Sequence, residues 1–141
     1  MVLLDDHLLR DWLAGPDAAL RRAIRRESLA TTNLFFTRLC KSAAGRQGGA
    51  LLGGWDRDER GALIAALVAL PDEFEVVPMR ALVWRMGQLV AEHRGLSTLG
   101  PETVAAAEYL DARVLVSSRD VSPGVRDACR SLHLRHATLA R

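Results

Sequence analysis

Hydrophobic positions along the chain fall into two patterns: short unbroken runs, and stretches in which they recur three and four apart. The first pattern predicts buried strands and the second predicts amphipathic helices. Val2, Leu3 and Leu4 form the first run, after which Leu8, Leu9, Trp12 and Leu13 recur at helical spacing until Gly15-Pro16 supplies a stop. Asp6 is placed to cap that helix. Residues 17–27 predict a second helix, with Leu20, Ala23 and Ile24 on one side and Arg21, Arg22, Arg25 and Arg26 largely on the other. Residues 29–32 read as a brief strand ending in a threonine cap, followed by a helix from 33 to about 43 with Leu34, Phe35, Arg38 and Leu39 in one stripe.

Residues 45–54 are glycine-rich and read as a flexible surface loop, because they lack the G-K-[ST] ending of a phosphate-cradling loop. A helix over 58–70 is expected to bury Leu63, Ile64, Leu67 and Val68, and a strand over 74–77 precedes Pro78. The long helix from about 79 to 93 is expected to bury Leu82, Val83, Met86, Leu89 and Val90. Pro101 opens a helix whose stripe is Thr103, Ala106, Ala107 and Leu110. Val114-Leu115-Val116 suits a strand buried on both faces. Ser122-Pro123 begins another helix, and 132–139 supply a last strand. Strands alternating with helices predict an α/β fold: a three-layer domain with a mostly parallel central sheet flanked by helices.

The chain's 141 residues fit a single domain over 1–141, and 49% hydrophobic with only 5% aromatic residues favours a helix-rich globular protein. A net charge of +2 is too small to mark a nucleic-acid binder by itself. Lys41 is the only lysine, so the basic charge is nearly all arginine, which suits planar contacts to phosphate or carboxylate. The cluster Arg21, Arg22, Arg25 and Arg26 has two readings: a solvated helix face, or contacts to RNA phosphates. Cys40 and Cys129 lack C-x-x-C spacing and read as reduced, buried thiols. No basic region precedes Val2 to Leu4, and Asp5 follows directly, so the start reads as neither signal peptide nor membrane anchor, and a cytoplasmic protein is expected.

In an open parallel sheet, ligands gather outside the carboxyl ends of the strands. Asp5 and Asp6 leave the first strand there, and Asp120 follows the 114–116 strand. Glu102 starts the helix that feeds that strand, which brings it to the same edge. Acids converging in this way repel one another unless a hard cation such as Mg2+ or Mn2+ neutralises them. Such an ion can activate water and stabilise a phosphodiester in an in-line displacement. Each acid also has a purely structural reading: Asp5 and Asp6 as helix caps, Glu102 as a partner of the helix dipole, Asp120 as a turn former. His7 stands beside them, either as a proton carrier at the site edge or as part of the capping turn. His133 and His136 are spaced wrongly to share one face of a strand. Neither a G-x-S-x-G elbow nor a Cys-His nucleophile pattern is present.

The order of these features resembles a known family. Val2-Leu3-Leu4-Asp5, then Glu102-Thr103-Val104-Ala105-Ala106, Val114-Leu115-Val116-Ser117 and Ser118-Arg119-Asp120 look like the PIN domain, especially its compact VapC-type toxins. The resemblance spans essentially the whole chain. It departs from the family at Asp6 and His7, where a small hydroxyl residue usually follows the first Asp, and at Glu102, where the family has the shorter Asp. PIN enzymes are metal-dependent ribonucleases with a ring of acids. The resemblance therefore implies Asp5, Glu102 and Asp120 as catalytic, metal-holding residues, with Mg2+ or Mn2+ as cofactor and single-stranded or structured RNA as substrate. It further implies a homodimer and a small antitoxin-like or other protein partner.

A further acid of the family aligns with Arg38, and no carboxylate occurs anywhere from Ser28 to Gly54. Unit charges about 4 Å apart interact by about 4 kcal/mol at an effective dielectric near 20, so an inward Arg38 opposes a metal ion strongly. Two arrangements follow. Arg38 points inward as a site-occupying cation, salt-bridged to Asp5 or Asp120, or it snorkels outward and leaves a three-acid site. The first favours a different function, a catalytically silent PIN-like domain serving as a protein-interaction or regulatory module.

Overall fold

The structure is a computed structural model that describes every residue except Arg46, so that part of the expected 45–54 loop lies outside the described residues. Five strands form one sheet: β1 (Val2–Leu4), β2 (Leu29–Thr31), β3 (Phe74–Val76), β4 (Arg113–Ser117) and β5 (His136–Leu139). Their order is β3-β2-β1-β4-β5, and every pairing is parallel. Leu3 sits at the centre, in register with Ala30 on one side and Val114 on the other. All five carboxyl ends therefore face one edge, as the alternation of strands and helices predicts.

The strands are three to five residues long, and their side chains divide between the sheet's two faces with a period of two. Val2, Leu4, Leu29 and Leu115 enter one apolar cluster, while Leu3, Ala30, Val114 and Val116 enter the other. The first cluster is completed by α1 (Asp6–Leu13), α2 (Ala18–Ile24), α3 (Asn33–Ala44), α4 (Gly49–Leu52) and α5 (Arg57–Val68). The second is completed by α6 (Met79–Glu92), α7 (Gly100–Leu110) and α8 (Pro123–Ser131). Helices thus cover both faces, giving three layers consistent with a PIN-like fold. No helix among the described residues is long and apolar enough to cross a membrane.

Several local expectations change. The glycine-rich stretch contains the short helix α4, entered through Gly48 at φ 70°, where a Cβ would meet the Leu52 carbonyl oxygen at 2.6 Å. Leu63 and Leu67 of α5 are buried, but Val68 is 84% exposed and Ile64 is exposed as well. Leu82 and Leu89 of α6 are buried, whereas Val83 is 59% exposed and Val90 is also outside. Each exposed residue follows a buried one by a single position, a rotation of about 100° on a helix, so α5 and α6 touch the core along a narrower line than their apolar content suggests. The last strand begins at His136 rather than 132, because Leu132 ends α8 and His133 adopts a left-handed φ of 57°. The cap of α1 is Asp5, not Asp6: the Leu8 N–H donates to Asp5 Oδ1 at 2.8 Å.

Candidate metal centre at the carboxyl edge of the sheet

Three elements deliver acids to the carboxyl edge. β1 runs directly into Asp5 and Asp6, β4 runs into a single 3-10 turn over Ser118–Asp120, and α7 begins two residues before Glu102. α3 starts at the same edge, capped by the Thr32 hydroxyl accepting from the Phe35 N–H, and carries Arg38 on its second turn. A cavity of about 60 Å³ opens beside them, lined among others by Asp5, Phe35, Thr103, Val116 and Asp120.

Asp5 is buried and satisfied. Its Oδ1 accepts from Leu8 N–H, and its Oδ2 accepts from Ser117 N–H at 2.7 Å, which ties β1 to the end of β4. Burial nevertheless pushes its carboxyl up to about 7, against those two hydrogen bonds and with help from the nearby Asp6 and Asp120 charges.

Asp6 solves nothing in this way. It is fully buried, and neither side-chain oxygen has a hydrogen-bond donor among the described residues. Arg38 Nε lies 2.9 Å from its Oδ2 as an ion pair, although the N–H is not aligned as a hydrogen bond. Burial raises the Asp6 carboxyl, Arg38 pulls it back down, and Asp120 raises it again. The same guanidinium reaches across the site, with Nη1 donating to Asp120 Oδ2 at 3.1 Å. Arg38 therefore points inward and bridges two acids.

His7 follows Asp6 on α1, is buried, and its Nδ1 lacks a partner among the described residues. Burial lowers its pKa, reinforced by the Arg10 and Arg38 charges and opposed by Asp120, so the ring is held neutral at pH 7. Ligand atoms of Asp6, His7 and Asp120 all lie within 4.8 Å of one another, close enough to surround one cation.

Glu102 is fully buried but is aimed at α3. Its Oε1 accepts from the Asn33 N–H at 3.2 Å and from Asn33 Nδ2 at 3.4 Å, and its Oε2 accepts from the Leu34 N–H at 3.0 Å. Free N–H groups at a helix start attract a carboxylate, so Glu102 serves as a remote cap for α3. Asn33 Nδ2 also donates to the Val77 carbonyl, which fastens the same corner to the chain after β3.

Among the residues singled out in the sequence, the structure brings Asp5, Asp6, His7, Asp120 and Arg38 together, with Glu102 adjoining through α3. It does not bring the arginine cluster to them. Arg21, Arg22, Arg25 and Arg26 are exposed on α2 and on the turn after it, which leads to the amino end of β2. The acids lie at the carboxyl ends, so a strand length separates the two groups. The family resemblance selects Asp5 and passes over Asp6 and His7. The signal that marks them is the Asp-Asp-His run immediately after a buried strand, since only one of two successive acids can cap the helix. No protein-family model matches the chain, and no curated protein is similar enough to match it.

Proposed function

We propose that this chain is a PIN-like, metal-dependent ribonuclease working at the acidic carboxyl edge. One observation carries the reading: Asp6 is fully buried without a hydrogen-bond donor, within a group completed by His7 and Asp120. Burying a carboxylate costs several kcal/mol unless a cation offsets it, a place that Arg38 takes here and that a divalent ion would take more fully. The donor set fits such an ion, with Asp6, His7 and Asp120 as the residues that would hold it. When bound, it supplies a Lewis acid that activates water and stabilises a phosphodiester under attack.

The remaining roles belong to side chains. Asp5 lines the cavity beside Asp120, and its oxygens keep free lone pairs beyond their backbone hydrogen bonds. With its carboxyl near 7, it is suited to accept a proton from attacking water at neutral pH. Arg38 at the mouth offers a planar fork that a phosphate can engage once the guanidinium leaves the acids. RNA as substrate follows from the family resemblance, as do self-association and a small inhibitory protein partner.

A second reading has its own support. Arg38 lies where a metal ion would sit, and Asp5 and Glu102 each commit both carboxylate oxygens to other donors. These contacts favour a catalytically silent interaction module. The deciding experiment is cleavage of labelled single-stranded and hairpin RNAs by purified protein in Mn2+. The nuclease reading expects cleavage that falls by about 100-fold or more in Asp120→Asn, as for loss of a group that stabilises the transition state. Intact RNA across the whole set would replace it with the silent reading.

A further inference from the structure

We infer that the acidic edge takes a divalent ion that accepts a nitrogen ligand, such as Mn2+, Co2+ or Zn2+, through His7, and that Arg38 competes with that ion for Asp6 and Asp120. The inference deepens the metal-dependent reading above and rests on it.

Its starting point is a pair of buried groups aimed at one place. His7 is 8% exposed with Nδ1 lacking a hydrogen-bond partner, and Asp6 is 0% exposed with neither oxygen hydrogen-bonded among the described residues and an ion pair to Arg38. Neither fits an apolar interior without a partner. Their ligand atoms and that of Asp120 lie within 4.8 Å of one another, whereas two ligands with bonds of about 2.1 Å to one ion stand at most about 4.2 Å apart. Three ligands sharing one ion tetrahedrally stand about 3.4 Å apart, so closing the set takes a contraction of up to about 1.4 Å. Asp120 sits on a surface turn, which makes that movement local.

The donor chemistry sets the preference. Mg2+ prefers an octahedron of oxygens and retains its waters, while imidazole nitrogen raises affinity for later first-row ions. A site of two carboxylates and one imidazole therefore discriminates against Mg2+ more than a site of carboxylates alone. Arg38 supplies the competition, since its Nε and Nη1 lie 2.9 and 3.1 Å from the two carboxylates an ion would need. Its side chain is 36% exposed, so it has a route to solvent that leaves the core intact.

The test uses the whole protein with Zn2+, Co2+, Mn2+ and Mg2+ added separately. In the unmutated protein, Zn2+ is expected to shift the His7 ring-nitrogen NMR resonance, and an unmoved resonance overturns the inference. Calorimetric titration is expected to show Mn2+ and Co2+ binding at least about tenfold tighter in Arg38→Ala, because removing a competing charge frees both acids. In His7→Ala, checked for folding by circular dichroism and paired with His7→Asn, Co2+ affinity is expected to fall at least about tenfold while Mg2+ affinity barely changes. Equal Co2+ affinity in the His7 variants and the parent would overturn it, as would an unchanged affinity in Arg38→Ala. RNA cleavage with Mg2+ but no His7 shift sinks this inference and leaves the nuclease standing. Ion binding as described without RNA cleavage does the reverse.

Discussion

Asp5 and Asp6 are adjacent carboxylates that meet burial in opposite ways. Asp5 receives two backbone N–H groups and holds β1, α1 and β4 together, so its removal disturbs structure and chemistry at once. Asp6 points one residue further round the helix and depends on a cation, which Arg38 supplies at 2.9 Å. Which of two neighbouring acids caps and which is left over is a matter of side-chain direction, and a sequence pattern fixes only that both reach the edge. The sequence leaves Arg38 open between an inward and an outward course, and its contacts to Asp6 and Asp120 decide for the inward one. Cysteine shows the residue scale without such ambiguity. Cys129 is buried in the cluster behind α7, and desolvation pushes its thiol up to about 11. Its thiolate fraction at pH 8 is about one in a thousand, and the thiolate is the reactive form. Iodoacetamide at pH 8 should leave Cys129 unmodified in the folded protein while labelling it after denaturation. Mass spectrometry showing rapid native labelling at this position would contradict the burial.

At the scale of elements, the least visible feature in the sequence is the link between α7 and α3. Glu102 stands 69 positions from Asn33, and no local pattern connects a carboxylate to a helix start so far away. The position of α7 was legible from Pro101 and the alanine stripe, but the partner of its first carboxylate emerges only when β1 and β2 lie side by side. The same limit explains α5 and α6, whose apolar spacing identified helices correctly while overstating what each buries. Glu102 carries a sharp consequence. Hydrogen bonds to a charged group contribute about 1.5–3 kcal/mol each and are not additive, so Glu102→Ala is expected to cost about 3 kcal/mol by leaving the Asn33 and Leu34 N–H groups without their acceptor in a part-buried corner. For a domain of this size that lowers the melting temperature by about 10 °C. The loss should persist in EDTA, measured by differential scanning fluorimetry. A variant as stable as the parent without metal would mean that Glu102 acts as a ligand rather than a cap.

Across the whole molecule, the buried carboxylates Asp5, Asp6 and Glu102 gather at one edge, and the raised Asp5 and Asp6 act on stability in the opposite sense to the lowered histidines. Folding raises Asp5 to about 7 from 3.8, so its contribution is full below pH 3.8 and is lost as pH climbs through about 7, and Asp6, raised as well, acts in the same sense. Folding lowers His7 and His136 from 6.5, so their contribution is present above 6.5 and is lost as pH falls below it. Between 3.8 and 6.5 the two effects oppose each other. The unfolded histidines still lose protons up to about pH 7.5, and from about pH 7 upward the acids dominate, as repulsion between Asp5, Asp6 and Asp120 grows with their ionisation and Arg38 is the single cation bridging two of them among the described residues. Metal-free protein should therefore lose melting temperature from about pH 7 to 8 when followed in EDTA. Adding Mn2+ should remove most of that decline, because an ion that binds ionised carboxylates stabilises the fold more as the protons leave. A melting temperature that rises across this window in EDTA would show that the acidic edge is already neutralised by the protein's own groups. In that case the site has no charge left for a metal to balance.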